Sequence, residues 1–210
     1  IAVTGPHLCG MGGDLFALVH HGGEVHCLNA SGRAGSGADA AAMRAEGLDT
    51  MPFRHDVRSV TVPGCVDGWV ALHERFATLS LPTLLAPAIA LAEDGFPAGP
   101  LLVGSVSSLD ERARATLHEL ARHARRPGER VRRPGVATAL RAIAAGGRDA
   151  HYLGVFGRGL LALGFRGLFF PAVQGPTALL VWCAGLLWWR LRFFVVTSVL
   201  HAVQWVVASF

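Results

Sequence analysis

Apolar positions are arranged differently in successive parts of this chain. Leu15 to His20 and Glu24 to Asn29 read as two strands joined by a tight His21-Gly22-Gly23 turn, which predicts a β-hairpin. Helical spacing then takes over. Ser36 to Glu46 is alanine-rich, follows the small-residue run Gly35-Ser36-Gly37 and ends at Gly47, so a helix is expected there. A loop spans Leu48 to Arg58, and Ser59 to Val62 is a short strand-like run stopped by Pro63-Gly64. From Val66 to Ala77 the apolar residues Val66, Trp69, Val70, Leu72 and Phe76 recur mainly at helical spacing. Leu84 to Asp94 is amphipathic and closed by Gly95 with Pro97 beyond it, while Ser108 to Arg126 is charged and helical. Pro134 to Ala145 and Asp149 to Leu163 supply two more helices, separated by Gly146-Gly147. The pattern is α/β, with several helices layered beside a hairpin and no internal repeat.

The pattern ends near Gly164. From Leu168 to Trp189 there is no charged residue, and Phe193 to Phe210 is similarly apolar, with Arg190-Leu191-Arg192 between them. Three readings follow. An apolar run of about 20 residues spans a bilayer as a helix, so membrane contact through 168–210 is one, although Pro171, Gln174, Gly175 and Pro176 interrupt the first span. The others are departure of the chain from its natural frame near Gly164, and a buried hydrophobic helix pair. The expected organisation is a domain over 1–164 and a hydrophobic tail over 165–210.

Composition narrows the chemistry. With 210 residues, 51% of them hydrophobic, the chain can bury a sizeable core and is not disordered by default. The net charge of +4 says little about partners, because every acidic residue lies at or before Asp149. All 19 basic residues are arginine, a bias that suits GC-rich codon usage better than a selected surface. Arg125-Arg126 and Arg130 to Arg133 form a local basic cluster without an interleaved aromatic, which predicts a solvated helix–loop–helix junction and no nucleic-acid partner. Cys9, Cys27, Cys65 and Cys183 lack CxxC spacing and are expected as free thiols. His7, Cys9, His20, His21, His26 and Cys27 lack zinc-ligand spacing, so no metal site and no cofactor are assigned.

Individual polar residues are equally plain. Gly10, Gly12 and Gly13 precede a strand and do not join a strand to a helix, which argues against a phosphate cradle; a turn with positive φ and close backbone approach is expected instead. Asp14 and Asp67 lack a partner histidine or second carboxylate at useful spacing and read as caps or loop hydrogen-bonders. Trp69 and Tyr152 read as core. No catalytic residue is assigned. Arg33 emerges just past the second strand, where a guanidinium suits bidentate capture of a carboxylate; it also reads as a surface loop arginine.

Four segments occur in a telling order: Pro6 to His20 running on to Ser31-Gly32-Arg33, Val62 to Trp69, Leu85 to Pro97, and Leu140 to Gly154. Together they resemble the large-subunit portion of γ-glutamyltransferases over residues 1–164. The resemblance implies a partial N-terminal-nucleophile hydrolase-like αββα layer fold, with the tail added as a hydrophobic helical segment. It implies action on a γ-glutamyl small-molecule substrate of the glutathione type. A threonine that begins a catalytic small subunit would be the nucleophile, its own α-amine serving as base. None of the threonines here sits in such a context, so the chain is expected to need that partner and to be inactive alone.

The match of Asn29-Ala30-Ser31-Gly32-Arg33-Ala34-Gly35 to a family segment implies that Arg33 binds the substrate α-carboxylate; Gly35 stands where proline is usual, which loosens the loop. Members usually carry an earlier Asn-Ala-x-Asp-Ala-Ala type segment, and the start at Ile1 leads us to expect that something precedes this chain. Many members are periplasmic or secreted, but localisation is left unassigned. Two other functions compete: a non-catalytic membrane-associated protein, and a related side-chain amide acylase.

Overall fold

A computed structural model describes residues 1–35, 38–52 and 55–165. The expected hairpin is present, with β1 (Leu15–His21) antiparallel to β2 (Glu24–Ala30) and Leu15 opposite Ala30. Gly22 and Gly23 both adopt positive φ, which matches the turn to the strand twist. Eight helices follow: α1 (Ala40–Ala45), α2 (Cys65–Phe76), α3 (Leu81–Asp94), α4 (Pro100–Ser107), α5 (Glu111–Thr116), α6 (His118–His123), α7 (Pro134–Tyr152) and α8 (Val155–Ala162). A second small sheet pairs β3 (Phe96–Pro97) with β4 (Arg130–Val131).

Caps decide where several helices begin. Asp39 accepts the Ala41 and Ala42 N–H groups, so α1 starts at Ala40 and not at Ser36. Ser80 accepts the Thr83 N–H and moves the start of α3 to Leu81, ahead of the expected Leu84. The expected single helix over Ser108 to Arg126 is two short ones, broken at Leu117 (φ −94°, ψ 39°); beyond the break Leu120 is buried in the core. Ser59 to Val62 is not a strand. A 3-10 turn covers Val57–Ser59, and Thr61 forms a single bridge to Ala34.

The basic cluster does join two helices, α6 and α7, with Arg125, Arg126, Arg130 and Arg132 exposed, but the junction is more than a loop. Val131 pairs with Phe96, and Ala98 N–H donates to the Glu129 carbonyl at 2.7 Å, so the segment runs as a strand into α7. Arg133 is buried, bonded to Glu119 at 3.1 Å and to the Ala2 carbonyl at 3.2 Å. Around this sheet lies the main core, in which Phe96, Leu102, Val106, Leu120, Val131 and Leu140 join α3, α4, α6 and α7. Each fully buried aliphatic side chain contributes about 1.5–3 kcal/mol relative to exposure. Arg141 pairs with Glu93 and ties α7 to α3 across the surface. The tail readings concern residues 166–210 and fall outside the described residues; among those described, no helix is long and apolar enough to cross a membrane.

Gly147 (φ 57°, ψ −138°) kinks α7 before its last stretch. Beyond the kink, Arg148 and Tyr152, one helical turn apart, both reach the start of α2. Arg148 Nε donates to Asp67 Oδ1 at 2.7 Å, and its two terminal nitrogens clasp Glu74 at 2.9 and 3.1 Å. Tyr152 Oη donates to the Pro63 carbonyl at 2.5 Å and accepts the Asp67 N–H at 3.1 Å. Burial pushes the tyrosine pKa up, so the hydroxyl stays a donor. Next to it, the His151 ring stacks on Phe156 with centroids 4.1 Å apart.

Two outcomes are expected. Tyr152→Phe leaves a buried carbonyl and a buried N–H unsatisfied, so urea denaturation should show a loss of about 2–4 kcal/mol with the helix content retained. Burial pushes the His151 pKa down to about 4. Its unfolded form therefore binds more protons between that value and the ordinary pKa of about 6.5. The stability it contributes is complete above about 6.5 and is lost as pH falls towards 4, by up to about 3 kcal/mol. The difference between the wild-type and His151→Phe stability curves over that window measures this contribution.

Candidate substrate-anchoring site

The second strand ends in a loop whose main chain is closely held. Asn29 Oδ1 accepts the Ser31 N–H at 3.0 Å and starts the turn. Val62 N–H donates to the Arg33 carbonyl at 2.8 Å, and Ala34 bridges to Thr61 beside it. Two glycines make this approach feasible. Gly32 has φ +78°, and a Cβ on it would lie 1.7 Å from the Val62 carbonyl oxygen. A Cβ on Gly64 would lie 2.0 Å from the Ala30 carbonyl oxygen. Any side chain at either position would drive the two segments apart.

Arg33 therefore has a fixed backbone and an exposed side chain. Among the described residues its guanidinium forms no ion pair, whereas Arg58, Arg133, Arg141 and Arg148 are all paired with carboxylates. A paired arginine holds structure together. An unpaired one on a rigid loop leaves its donor fork open to an external carboxylate.

The glycine turn before β1 works differently from expectation. None of Gly10, Gly12 and Gly13 adopts positive φ, and neither Gly10 nor Gly13 is pressed closely by another segment. Gly13 N–H donates to the Gly10 carbonyl at 3.1 Å, closing a reverse turn that needs no left-handed residue. The close approaches lie instead at Gly32 and Gly64. Cys65 N–H donates to the Gly13 carbonyl at 2.9 Å and anchors that turn to the start of α2.

Asp67 is more than a cap. It is fully buried in the first turn of α2 and ion-paired with Arg148, a partner that carboxylate and histidine spacing could not reveal. The available signal was the placement of Asp67 and Glu74 two helical turns apart on one side of α2, the first buried and the second exposed, where one long cation can meet both. The Arg148 guanidinium in turn holds the Glu74 carboxyl below its usual range. Tyr152 does pack in the core, as read, but its hydroxyl is the more consequential part.

Cys65 is buried, and its thiol pKa is pushed up to about 12 by burial and then by the neighbouring Cys9 and Asp14, so it is no nucleophile at neutral pH. Cys9, Cys27 and Cys65 are free thiols. Among the described residues no group of three His, Cys, Asp or Glu side chains could hold a metal ion. One face of the hairpin meets α2 through Leu15 and Ala30, while Phe16, Leu18 and Val25 on the other side remain exposed.

Comparison with known proteins identifies the family. The family model for gamma-glutamyltranspeptidase matches residues 1–163. The chain is 34% identical over 161 residues to the glutathione hydrolase-like YwrD proenzyme of Bacillus subtilis, covering 73% of this chain and 30% of that protein. It is 37% identical over 186 residues to the oxamate amidohydrolase proenzyme of Klebsiella pneumoniae, covering 83% of this chain and 35% of that protein. Among solved structures it is similar to a cephalosporin acylase from Bacillus halodurans, with TM-score 0.69 and 33% identity over 77% of this chain and 32% of the other. A gamma-glutamyltranspeptidase from Pseudomonas nitroreducens aligns with TM-score 0.66 and 27% identity over 77% of this chain and 49% of the other. The chain thus spans about a third of the length of the curated relatives it matches. With its motifs in order and its mixed α/β fold matching these N-terminal-nucleophile hydrolases, the chain belongs to the gamma-glutamyltranspeptidase family.

Proposed function

We propose that this chain is the carboxylate-anchoring part of an enzyme that hydrolyses or transfers γ-glutamyl groups of glutathione-type amides. The observation that carries the reading is Arg33, held by its backbone and free at its guanidinium. In this reading Arg33 clasps the α-carboxylate of the γ-glutamyl group and sets the distance from that end of the substrate to the scissile amide. Holding one end of a flexible substrate removes rotational freedom that the reaction otherwise loses at the transition state.

The nucleophile comes from a catalytic small subunit outside this chain: a threonine hydroxyl attacks the amide carbonyl, its proton goes to the departing amine, and the resulting ester is cleaved by water or an acceptor amine, which returns a proton to the threonine. Two features support such a partner. The relatives in Bacillus and Klebsiella are proenzymes, and the hairpin leaves Phe16, Leu18 and Val25 uncovered, an apolar face suited to further strands or helices. Residues 1–164 form the domain in this reading, and no cofactor is required.

A second reading is favoured by the acylase and amidohydrolase relatives. A glutaryl amide keeps the carboxylate that Arg33 would hold and lacks only the α-amine, and oxamate is likewise an amide bearing a carboxylate. Arg33 serves either substrate class, so discrimination rests on groups that recognise the amine.

The chain alone is expected to release no chromophore from a γ-glutamyl anilide, since no nucleophile with a positioned base is available in it. In the whole proenzyme, Arg33→Ala should lower kcat/KM by an amount corresponding to about 2–5 kcal/mol, mainly through KM, and Arg33→Lys should recover part of it. An unchanged specificity constant removes Arg33 from the site. Turnover of glutaryl anilide above γ-glutamyl anilide by the same preparation selects the acylase reading.

A further inference from the structure

A cavity of about 200 Å3 is lined in part by Val60 and Pro63, on either side of the residues that pin Arg33, and Arg33 itself does not line it. Val60 and Pro63 form one wall, and Leu120, Val136, Phe156 and Leu160 supply most of the rest, so its surface is largely apolar. Its polar members are nearly all engaged. Arg133 is bonded to Glu119 and to the Ala2 carbonyl, and the Pro63 carbonyl accepts the Tyr152 hydroxyl.

His151 is the exception. The residue is 3% exposed, it lines the cavity, and its Nε2 is buried with no hydrogen-bond partner. The ring is buried beside the Met11 backbone and Phe156 stacks on it, which restricts the imidazole's search for a partner. A neutral imidazole whose proton sits on Nδ1, towards the Met11 backbone, presents a lone pair on Nε2. That lone pair needs a donor, and leaving it unmet costs about 1–3 kcal/mol.

A lining that is mostly apolar suits a carbon-rich occupant better than a water, which needs about 2–4 polar partners. An ion is equally unsuited, since Arg133 is already neutralised by Glu119. The size suits a ring: an engineered apolar cavity of about 150 Å3 stays dry and takes up benzene. We propose that this cavity binds a small neutral molecule with an apolar body and one hydroxyl, of the phenol or short-alcohol class, whose O–H donates to His151 Nε2. The site is independent of the reading of Arg33, so either can fail without the other.

Phenol and toluene are the probes, alike in shape and different in the hydroxyl. In the whole protein labelled with 15N-histidine, phenol should move the His151 Nε2 resonance in a saturable manner and bind about 3- to 10-fold more tightly than toluene. His151→Phe should abolish that preference while toluene still binds. Ala139→Leu, which fills the cavity from α7 and leaves the histidine in place, should remove binding of both. Equal affinity for the two probes, or no binding of either, overturns the proposal. So does an Nε2 resonance already characteristic of an accepted hydrogen bond before phenol is added, which would show the site taken by water or by another part of the polypeptide.

Discussion

Two peptide segments pass each other here without a side chain between them, and the candidate site depends on that contact. The end of β2 lies against Val62 to Gly64 so closely that Gly32 faces the Val62 carbonyl and Gly64 faces the Ala30 carbonyl. At this separation the Val62 N–H reaches the Arg33 carbonyl, and the loop gains a hydrogen bond that a free loop lacks. The entropy of holding that loop is met by the fold. Arg33 then needs to order only its own side chain when a carboxylate arrives.

The second of these segments is itself held from behind. Tyr152 bonds the Pro63 carbonyl and the Asp67 N–H, while Arg148 neutralises Asp67 and Glu74. A fully buried carboxylate is costly unless it is paired and hydrogen-bonded, so Asp67 gives α2 and the end of α7 a strong reason to keep one mutual arrangement. The kink at Gly147 lets one helix serve two purposes. Its first stretch packs Leu140 into the main core, and its last stretch turns Arg148 and Tyr152 onto the start of α2. The chain of contact runs from Arg148 through Asp67 and Pro63 to Arg33, across three of the four motif segments.

Membership of the gamma-glutamyltranspeptidase family places this arrangement within proteins about three times as long. The uncovered hairpin face agrees with that proportion. A two-stranded ribbon is marginal alone, and Phe16, Leu18 and Val25 are apolar positions that gain from further burial. Arg58, Arg133, Arg141 and Arg148 are paired within the chain, while Arg33, like several other exposed arginines, forms no ion pair among the described residues.

The hairpin, α2, α3 and the broken α7 were legible in the sequence, because strand pairing across a two-residue turn and helical periodicity are local properties. The position of Arg33 just past a strand was legible too, and the order of motifs named the family. Local pattern failed where the decisive contact was distant. Phe96–Pro97 pairs with Arg130–Val131 across a gap bridged by three helices, and nothing near either dipeptide announces a strand. Asp67 looked partnerless because Arg148 is remote in sequence, and the glycines that looked tight at 10 to 13 proved ordinary while those at 32 and 64 carried the close approach. Sequence alone determined the hairpin, the longer helices and which chemistry is on offer. Tertiary structure decided which charges cancel and which backbones touch, because each of these depends on partners that only folding brings within a few ångströms.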